Sequence, residues 1–199
     1  MTDDELRAVA VPDVYQKSIF DIDYGTLIES GIRLITFDMD DTLLGTWNRI
    51  APNPAVKKLV KELNKSGIKV AILTNAKRWA RNIQAKQLGV KMISDAKKPS
   101  KAGFKKAQRK FGVTSTEMAH VGNSLYDDVV GGNRAGVTTC LVRNVGFAAG
   151  AIHAVSKNEN RAIREELRRR KIWVQHHQFE KRDQYYQFGM EPGWKSALD

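Results

Sequence analysis

From residue 33 onward, short apolar runs alternate with amphipathic stretches. Residues 33–37 (Arg-Leu-Ile-Thr-Phe) read as a strand. Residues 54–66 read as a helix: Asn53 is placed to cap it, Pro54 suits its first turn, and Val56, Leu59, Val60 and Leu63 recur at helical spacing before Gly67. Residues 68–73 form a near-continuous apolar run, the pattern of a strand buried on both faces. The alternation continues with a helix over 77–88, a strand over 90–93, a basic helix over 100–111, a strand over 118–121, a helical stretch to Ala135 and a strand over 137–142. Gly89, Gly112 and Gly136 close the three helical stretches. Strands alternating with helices predict an α/β fold, a Rossmann-like three-layer open parallel sheet with helices on both faces.

The two ends break the rhythm. Residues 1–32 read as a lead-in segment, within which the scattered apolar positions of 14–32 (Val14, Ile19, Ile22 and Leu27 among them) suit a helix packed on the sheet. The core is expected over residues 33–155, followed by a C-terminal segment, 156–199. Residues 156–172 read as a charged helix with a solvated end at Arg168, Arg169, Arg170 and Lys171. The tail 173–199 interleaves Trp173, Phe179, Tyr185, Tyr186, Phe188 and Trp194 with polar residues. It suits packing on the chain's own core, with a membrane or partner surface as the alternative. His176 and His177 read as a solvated pair, and Cys140 as a buried strand residue in a reducing compartment.

Charge changes the picture because it is uneven. Residues 1–48 hold 3 Lys/Arg against 10 Asp/Glu, and residues 49–113 hold 18 against 2, within a net charge of +11. A basic middle draws anions: phosphorylated substrates, acidic lipid surfaces or nucleic acid. No apolar run approaches the length of a membrane span, and the acidic start (Thr2-Asp3-Asp4-Glu5) lacks the features of a secretory signal. A cytoplasmic location follows as the expectation.

In open α/β sheets, ligands bind beyond the carboxyl ends of the strands. The first strand is followed by Asp38-Met39-Asp40-Asp41-Thr42, the second by Thr74-Asn75, the third by Lys97-Lys98-Pro99, and the fourth by Gly122-Asn123-Ser124 with Asp127 and Asp128 a turn later. Each alone is an ordinary turn. Together they bring a hydroxyl, an amide, a cation and several carboxylates to one edge. A spacing of two in extended chain puts Asp38 and Asp40 on the same side.

That order resembles the haloacid dehalogenase-like (HAD) phosphatase superfamily, and within it the YqeG-type branch of subfamily IIIA. Pro12-Asp13-Val14-Tyr15, Ala96-Lys97-Lys98-Pro99, Gly131-Gly132-Asn133-Arg134 and Asn160-Arg161 carry the closer likeness, over roughly residues 12–172. The resemblance implies a phosphomonoester hydrolase. Asp38 would be the nucleophile and Asp40 the acid/base. Thr74, Asn75 and Lys98 would bind the substrate phosphate, with Lys98 also catalytic. Mg²⁺ would be held by Asp38, Asp40, Asn123 and Asp128. Asn123 departs from the superfamily's usual Asp and leaves the metal site one charge short. Eukaryotic relatives of the branch are phosphatidylglycerophosphate phosphatases, which points to a lipid-borne phosphate and to peripheral contact with an anionic membrane.

The stretches 42–74 and 75–98 have no room for a cap domain, so the site is expected to be capless and open, flanked by the basic middle. Two rival readings stay open: a soluble sugar-phosphate or nucleotide phosphatase, and a nucleic-acid or ribosome-binding protein on a degenerate phosphatase fold.

Overall fold

The apolar runs become six parallel strands in one sheet, in a computed structural model that describes residues 1–43, 52–143, 154–173 and 175–179. The strands are β1 (Val14–Gln16), β2 (Leu34–Phe37), β3 (Lys69–Leu73), β4 (Lys91–Ile93), β5 (Met118–Gly122) and β6 (Thr138–Val142), in the order β1-β6-β5-β2-β3-β4. In the centre, Phe37 lies in register with Ile72 of β3 on one side and Val121 of β5 on the other. The chain runs outward from β2 to β4, then returns to β5 on the opposite side. The crevice between the ends of β2 and β5 is therefore the topological switch point.

Strand periodicity sorts the core into layers. Ile35, Phe37, Val70 and Ile72 face α2 (Tyr24–Glu29), α3 (Pro54–Lys65) and α4 (Arg78–Leu88). Leu34, Ala71, Leu73 and Met118 face α5 (Lys101–Phe111), chiefly Phe104 and Ala107. A third cluster joins Leu141 to α1 (Asp3–Ala10), to a π-helical turn (Leu125–Val130) and to α7 (Ala154–Arg169). Between the π turn and β6 lies α6 (Gly131–Ala135). A methyl group on Gly132 would stand 2.5 Å from Thr139 Cγ2, so the glycine lets α6 close onto the sheet. Cys140 is buried, as expected, and burial pushes its thiol pKa up.

The N-terminal segment corrects the sequence reading. It is not a lead-in helix but a helix, a strand and a second helix that complete the sheet. Thr2 and Glu5 cap α1 reciprocally, and β1 pairs with β6 with Val14 opposite Cys140. Asp13 secures the joint by accepting from Thr139 N at 2.9 Å. The histidines are a second correction. Tyr15 and His177 exchange both backbone hydrogen bonds, and the His176 ring lies 4.5 Å from that of Tyr15, so the pair is half-buried against the sheet edge. Trp173 is buried in the third cluster, beneath the guanidinium groups of Arg164 and Arg168. Arg170 reaches Asp3 at 2.8 Å, so the basic end of α7 is pinned to α1 rather than simply solvated. Tyr185, Tyr186, Phe188 and Trp194 lie outside the described residues.

Between Thr42 and Thr74 the described residues are taken up by α3 and β3, and between Asn75 and Lys98 by α4 and β4. The segment 44–51 lies outside them. Among the described residues, no helix is long and apolar enough to cross a membrane.

Candidate active site

The first strand delivers the carboxylate pair as its spacing predicts. Asp38 N donates to Val121 O at 2.8 Å, which prolongs the pairing one residue past β2. Met39 turns into the core, while Asp38 and Asp40 both line a cavity at the switch point. Asp41 then adopts a left-handed conformation (φ 59°) that turns the chain away. The cavity has a volume of about 510 Å³.

Lys98 is the electrostatic centre. Its side chain is 2% exposed, and its ammonium donates to Asp38 Oδ1 at 2.7 Å and to Asp128 Oδ1 at 2.5 Å. Its backbone is clamped by Asn75, whose amide oxygen accepts from Lys98 N at 2.7 Å and whose amide nitrogen donates to Lys98 O at 3.0 Å. Asn75, expected at the substrate, thus has its amide committed to positioning the lysine. The Thr74 hydroxyl accepts from Ala76 N at 3.1 Å and retains a hydrogen for an acceptor in the cavity.

Asp128 reaches the lysine through two local devices. A Cβ on Gly122 would overlap the Asp128 carboxyl at 2.2 Å, so only glycine leaves room for it. The π turn after Ser124 carries Asp128 inward, and Asp128 Oδ2 accepts from Ser124 N at 2.9 Å. Asp128 Oδ1 also accepts from His120 Nε2 at 3.0 Å. An ionised carboxylate only accepts, so Nε2 carries the hydrogen and Nδ1 accepts from the Thr36 hydroxyl, 2.9 Å away. The His120 ring meets Phe104 edge to face at 5.1 Å, and burial lowers its pKa and keeps it neutral. The sequence reading passed over His120. Its one visible signal is a titratable residue in the apolar run of β5.

Two carboxylates sharing one ammonium leave the triad one negative charge in excess. Burial disfavours the charge on Lys98, but Asp128 and Asp38 override it and hold the ammonium protonated. Burial would likewise raise Asp128, but Lys98 and the His120 hydrogen bond hold it well below the usual carboxylate range. Asp38 takes the deficit. Burial, only partly offset by Lys98 and reinforced by Asp128, pushes it up to about 7.

The lining groups fit a hard divalent cation by their chemistry. The Asp38 and Asp40 carboxyls and the Asn123 amide oxygen all reach the cavity, and Thr42 Oγ1 donates to that amide oxygen at 3.2 Å. Asp128, expected among the ligands, has both oxygens engaged by Lys98, His120 and Ser124, because its ion pair with the lysine satisfies it inside the protein. Among the described residues, no group of three or more His, Cys, Asp or Glu side chains is placed to hold a metal. Asn123 presents a neutral amide in a cavity otherwise lined by the carboxylates Asp38, Asp40, Asp127 and Asp128.

The expectation of an open site flanked by the basic middle needs correction. Ser156, Lys157, Asn160, Arg161 and Arg164 of α7 form one wall of the cavity. Of the basic middle, Lys98 alone among the described residues lines it. The charged C-terminal helix, read from sequence as a solvated extension, belongs to the site.

A family model for haloacid dehalogenase-like hydrolases matches residues 46–136. The chain is also 32% identical over 165 residues to a probable phosphatase, YqeG, of Bacillus subtilis (strain 168), covering 83% of this chain and 95% of that one. The chain belongs to the haloacid dehalogenase-like hydrolases. As a HAD phosphatase it is also 27% identical over 149 residues to phosphatidylglycerophosphate phosphatase 1, chloroplastic/mitochondrial, of Arabidopsis thaliana. That match covers 68% of this chain and 41% of the relative, less than half its length. A crystal structure of an uncharacterised protein from Listeria monocytogenes serotype 4b superposes with a TM-score of 0.49 at 19% identity, over 64% of this chain and 88% of that one.

Proposed function

We propose that this HAD phosphatase hydrolyses a phosphomonoester through an aspartyl-phosphate on Asp38, with Mg²⁺ as cofactor and phosphatidylglycerophosphate as substrate. The observation that carries the reading is the buried Asp38–Lys98–Asp128 triad at the switch point, with Asp40 beside it. A nucleophilic carboxylate repels a phosphate dianion, so the site must first supply positive charge and position. Asp38 attacks phosphorus and the bond to the leaving oxygen breaks, while Asp40 donates its proton to that oxygen. Asp40 then takes a proton from water. The water oxygen displaces Asp38 from phosphorus, and inorganic phosphate leaves. The Thr74 hydroxyl donates to a phosphoryl oxygen, and Lys98 holds Asp38 in line. When bound by Asp38, Asn123 and the main-chain carbonyl oxygen of Asp40, which leaves the Asp40 carboxyl free to carry the proton, Mg²⁺ would offset the phosphate charge and favour the ionised form of Asp38.

The lipid substrate rests on the likeness to the Arabidopsis protein and on the cations that α7 brings to the cavity. An anionic bilayer would also attract the exposed lysines of α3 and α5, at about 1 kcal/mol per basic residue near the surface. A substrate panel tests this, with phosphatidylglycerophosphate in mixed micelles beside soluble phosphomonoesters and Asp38→Asn as the blank. Turnover is expected to be fastest on the lipid. Good turnover of small phosphates with none of the lipid would rule the lipid out.

The ligand deficit yields its own prediction. Asn123→Asp adds a carboxylate where a neutral amide now stands, and is expected to lower the Mg²⁺ concentration for half-maximal activity about tenfold or more, in the range seen when metal-site groups are altered. The thermal shift on adding Mg²⁺ should grow in parallel. An unchanged Mg²⁺ requirement would count against Asn123 as a ligand.

A further inference from the structure

The α7 wall has a construction of its own. Ser156, Asn160 and Arg164 fall on one helical stripe, with Lys157 and Arg161 beside it. The first two residues fasten the helix to the segment that carries Asp128. Ser156 Oγ donates to Asp127 Oδ2 at 2.7 Å, and Asn160 Oδ1 accepts from Tyr126 N at 2.8 Å and Ser124 Oγ at 3.1 Å. Leu167 anchors the far end in the third cluster, and the Arg164 guanidinium lies 5.3 Å from the centre of the Trp173 ring. The wall is thus rigidly registered to the catalytic triad, yet its cations are not consumed by that triad. Among the described residues, Lys157 has no acidic partner, and Arg161 pairs with its neighbour Glu165 in an exposed contact that a phosphate can displace.

Lys98 is already committed to two carboxylates. The charge on α7 is surplus to the reacting centre, and it lines the same cavity as Asp38 and Asp40. We infer that Lys157, Arg161 and Arg164 form a leaving-group subsite for a second anionic phosphate on the substrate, either a phosphodiester or a further monoester. The inference rests on the phosphatase reading above and assigns residues of this chain to the substrate's leaving group. Guanidinium groups suit this task because they bind phosphate oxygens in pairs.

The test uses the full chain and two substrate pairs. Glycerol 3-phosphate is compared with glycerophosphoglycerophosphate, which adds a phosphodiester but no acyl chain. Fructose 6-phosphate is compared with fructose 1,6-bisphosphate, which adds a monoester. The expected result is at least a tenfold preference in kcat/KM for the doubly anionic member of one pair. A preference in the first pair assigns a phosphodiester, as in a lipid headgroup. A preference in the second assigns a free phosphate. The double variant Lys157→Gln with Arg161→Gln should bring that ratio below about threefold, chiefly through KM. The charge-keeping pair Lys157→Arg with Arg161→Lys should restore it. These positions are exposed, and a thermal melt confirms that each variant folds. No preference in either pair, or a preference that survives the loss of charge, overturns the subsite. Release of phosphate from p-nitrophenyl phosphate, blanked by Asp38→Asn, reports separately on the phosphatase reading. Aryl phosphate turnover with no response to a second anion therefore sinks the subsite alone. No release from any substrate sinks both.

Discussion

Asp38→Asn is expected to abolish phosphate release, by at least about 10⁴-fold, while making the metal-free protein more resistant to unfolding above neutral pH. The loss of turnover follows from chemistry, since an amide cannot form the acyl phosphate. The gain in stability follows from charge. Wild-type Asp38 and Asp128 compete for one buried ammonium, and Asp38 is pushed up to about 7 from an ordinary 3.8. A carboxyl whose folded pKa is raised contributes stability that is fully present below the unfolded value and is lost as pH rises through the folded one. At about 1.4 kcal/mol per unit of pKa, the ionised form costs the fold a few kcal/mol at pH 8. The asparagine does not titrate, and it leaves Lys98 and Asp128 as a neutral pair. Urea unfolding with a chelator present should show the variant pulling ahead of wild type between pH 5 and pH 8. Mg²⁺ should close the gap by stabilising wild type preferentially. A variant no more stable than wild type at pH 8 would mean that Asp38 carries no strain.

How much of this was legible in the sequence depends on where the information resides. Strands β2, β3, β5 and β6 were readable because each is an apolar run closed by a turn signal and buried almost throughout, and the edge strand β4, in which only Ile93 is buried, was readable from its place between two helices. Strand β1 was not, because three residues of which only Val14 is fully buried carry no pattern. Its partner β6 supplies the reason for its shape from more than a hundred residues away. Asp38, Asp40, Thr74 and Lys98 were readable by position, since strand ends of a parallel sheet converge on one edge whatever the side chains. The tasks of Asn75 and His120 were not. Asn75 acts on the peptide of Lys98, and His120 on a carboxylate that only the π turn and the missing Cβ of Gly122 bring within reach. The α7 stripe was visible as charge at helical spacing, but the direction it faces is set by Ser156 and Asn160 binding the π turn, a tertiary fact. The basic middle misled for the same reason: a count of charges says nothing about which face of a helix meets the cavity.

Lys98→Met carries the other large effect. The lysine is enclosed, with both carboxylates hydrogen-bonded to its ammonium, so removing the cation leaves two buried like charges facing each other. Breaking a buried pair from one side costs about 3–5 kcal/mol, and the loss of electrostatic support at the reacting centre costs about 10²–10³-fold in kcat. Methionine fills similar volume, so packing alone predicts a penalty that does not vary with pH. The charge argument predicts otherwise. Without Lys98 the triad is left with two carboxylates whose pKa values rise, so the variant's stability is greatest in acid and is lost as pH climbs. The deficit against wild type should therefore shrink markedly toward pH 5, where one carboxyl holds a proton and donates it to the other. Lys98→Arg should not restore activity, because Asn75 fixes the backbone at this position and a planar guanidinium cannot occupy the point between the two carboxylates that the ammonium fills. Equal deficits at pH 5 and pH 8 would show that Lys98 matters for its bulk. A deficit that tracks the titration of the carboxylates would show that the lysine holds two mutually repelling acids together, one of which must remain free enough to attack phosphorus.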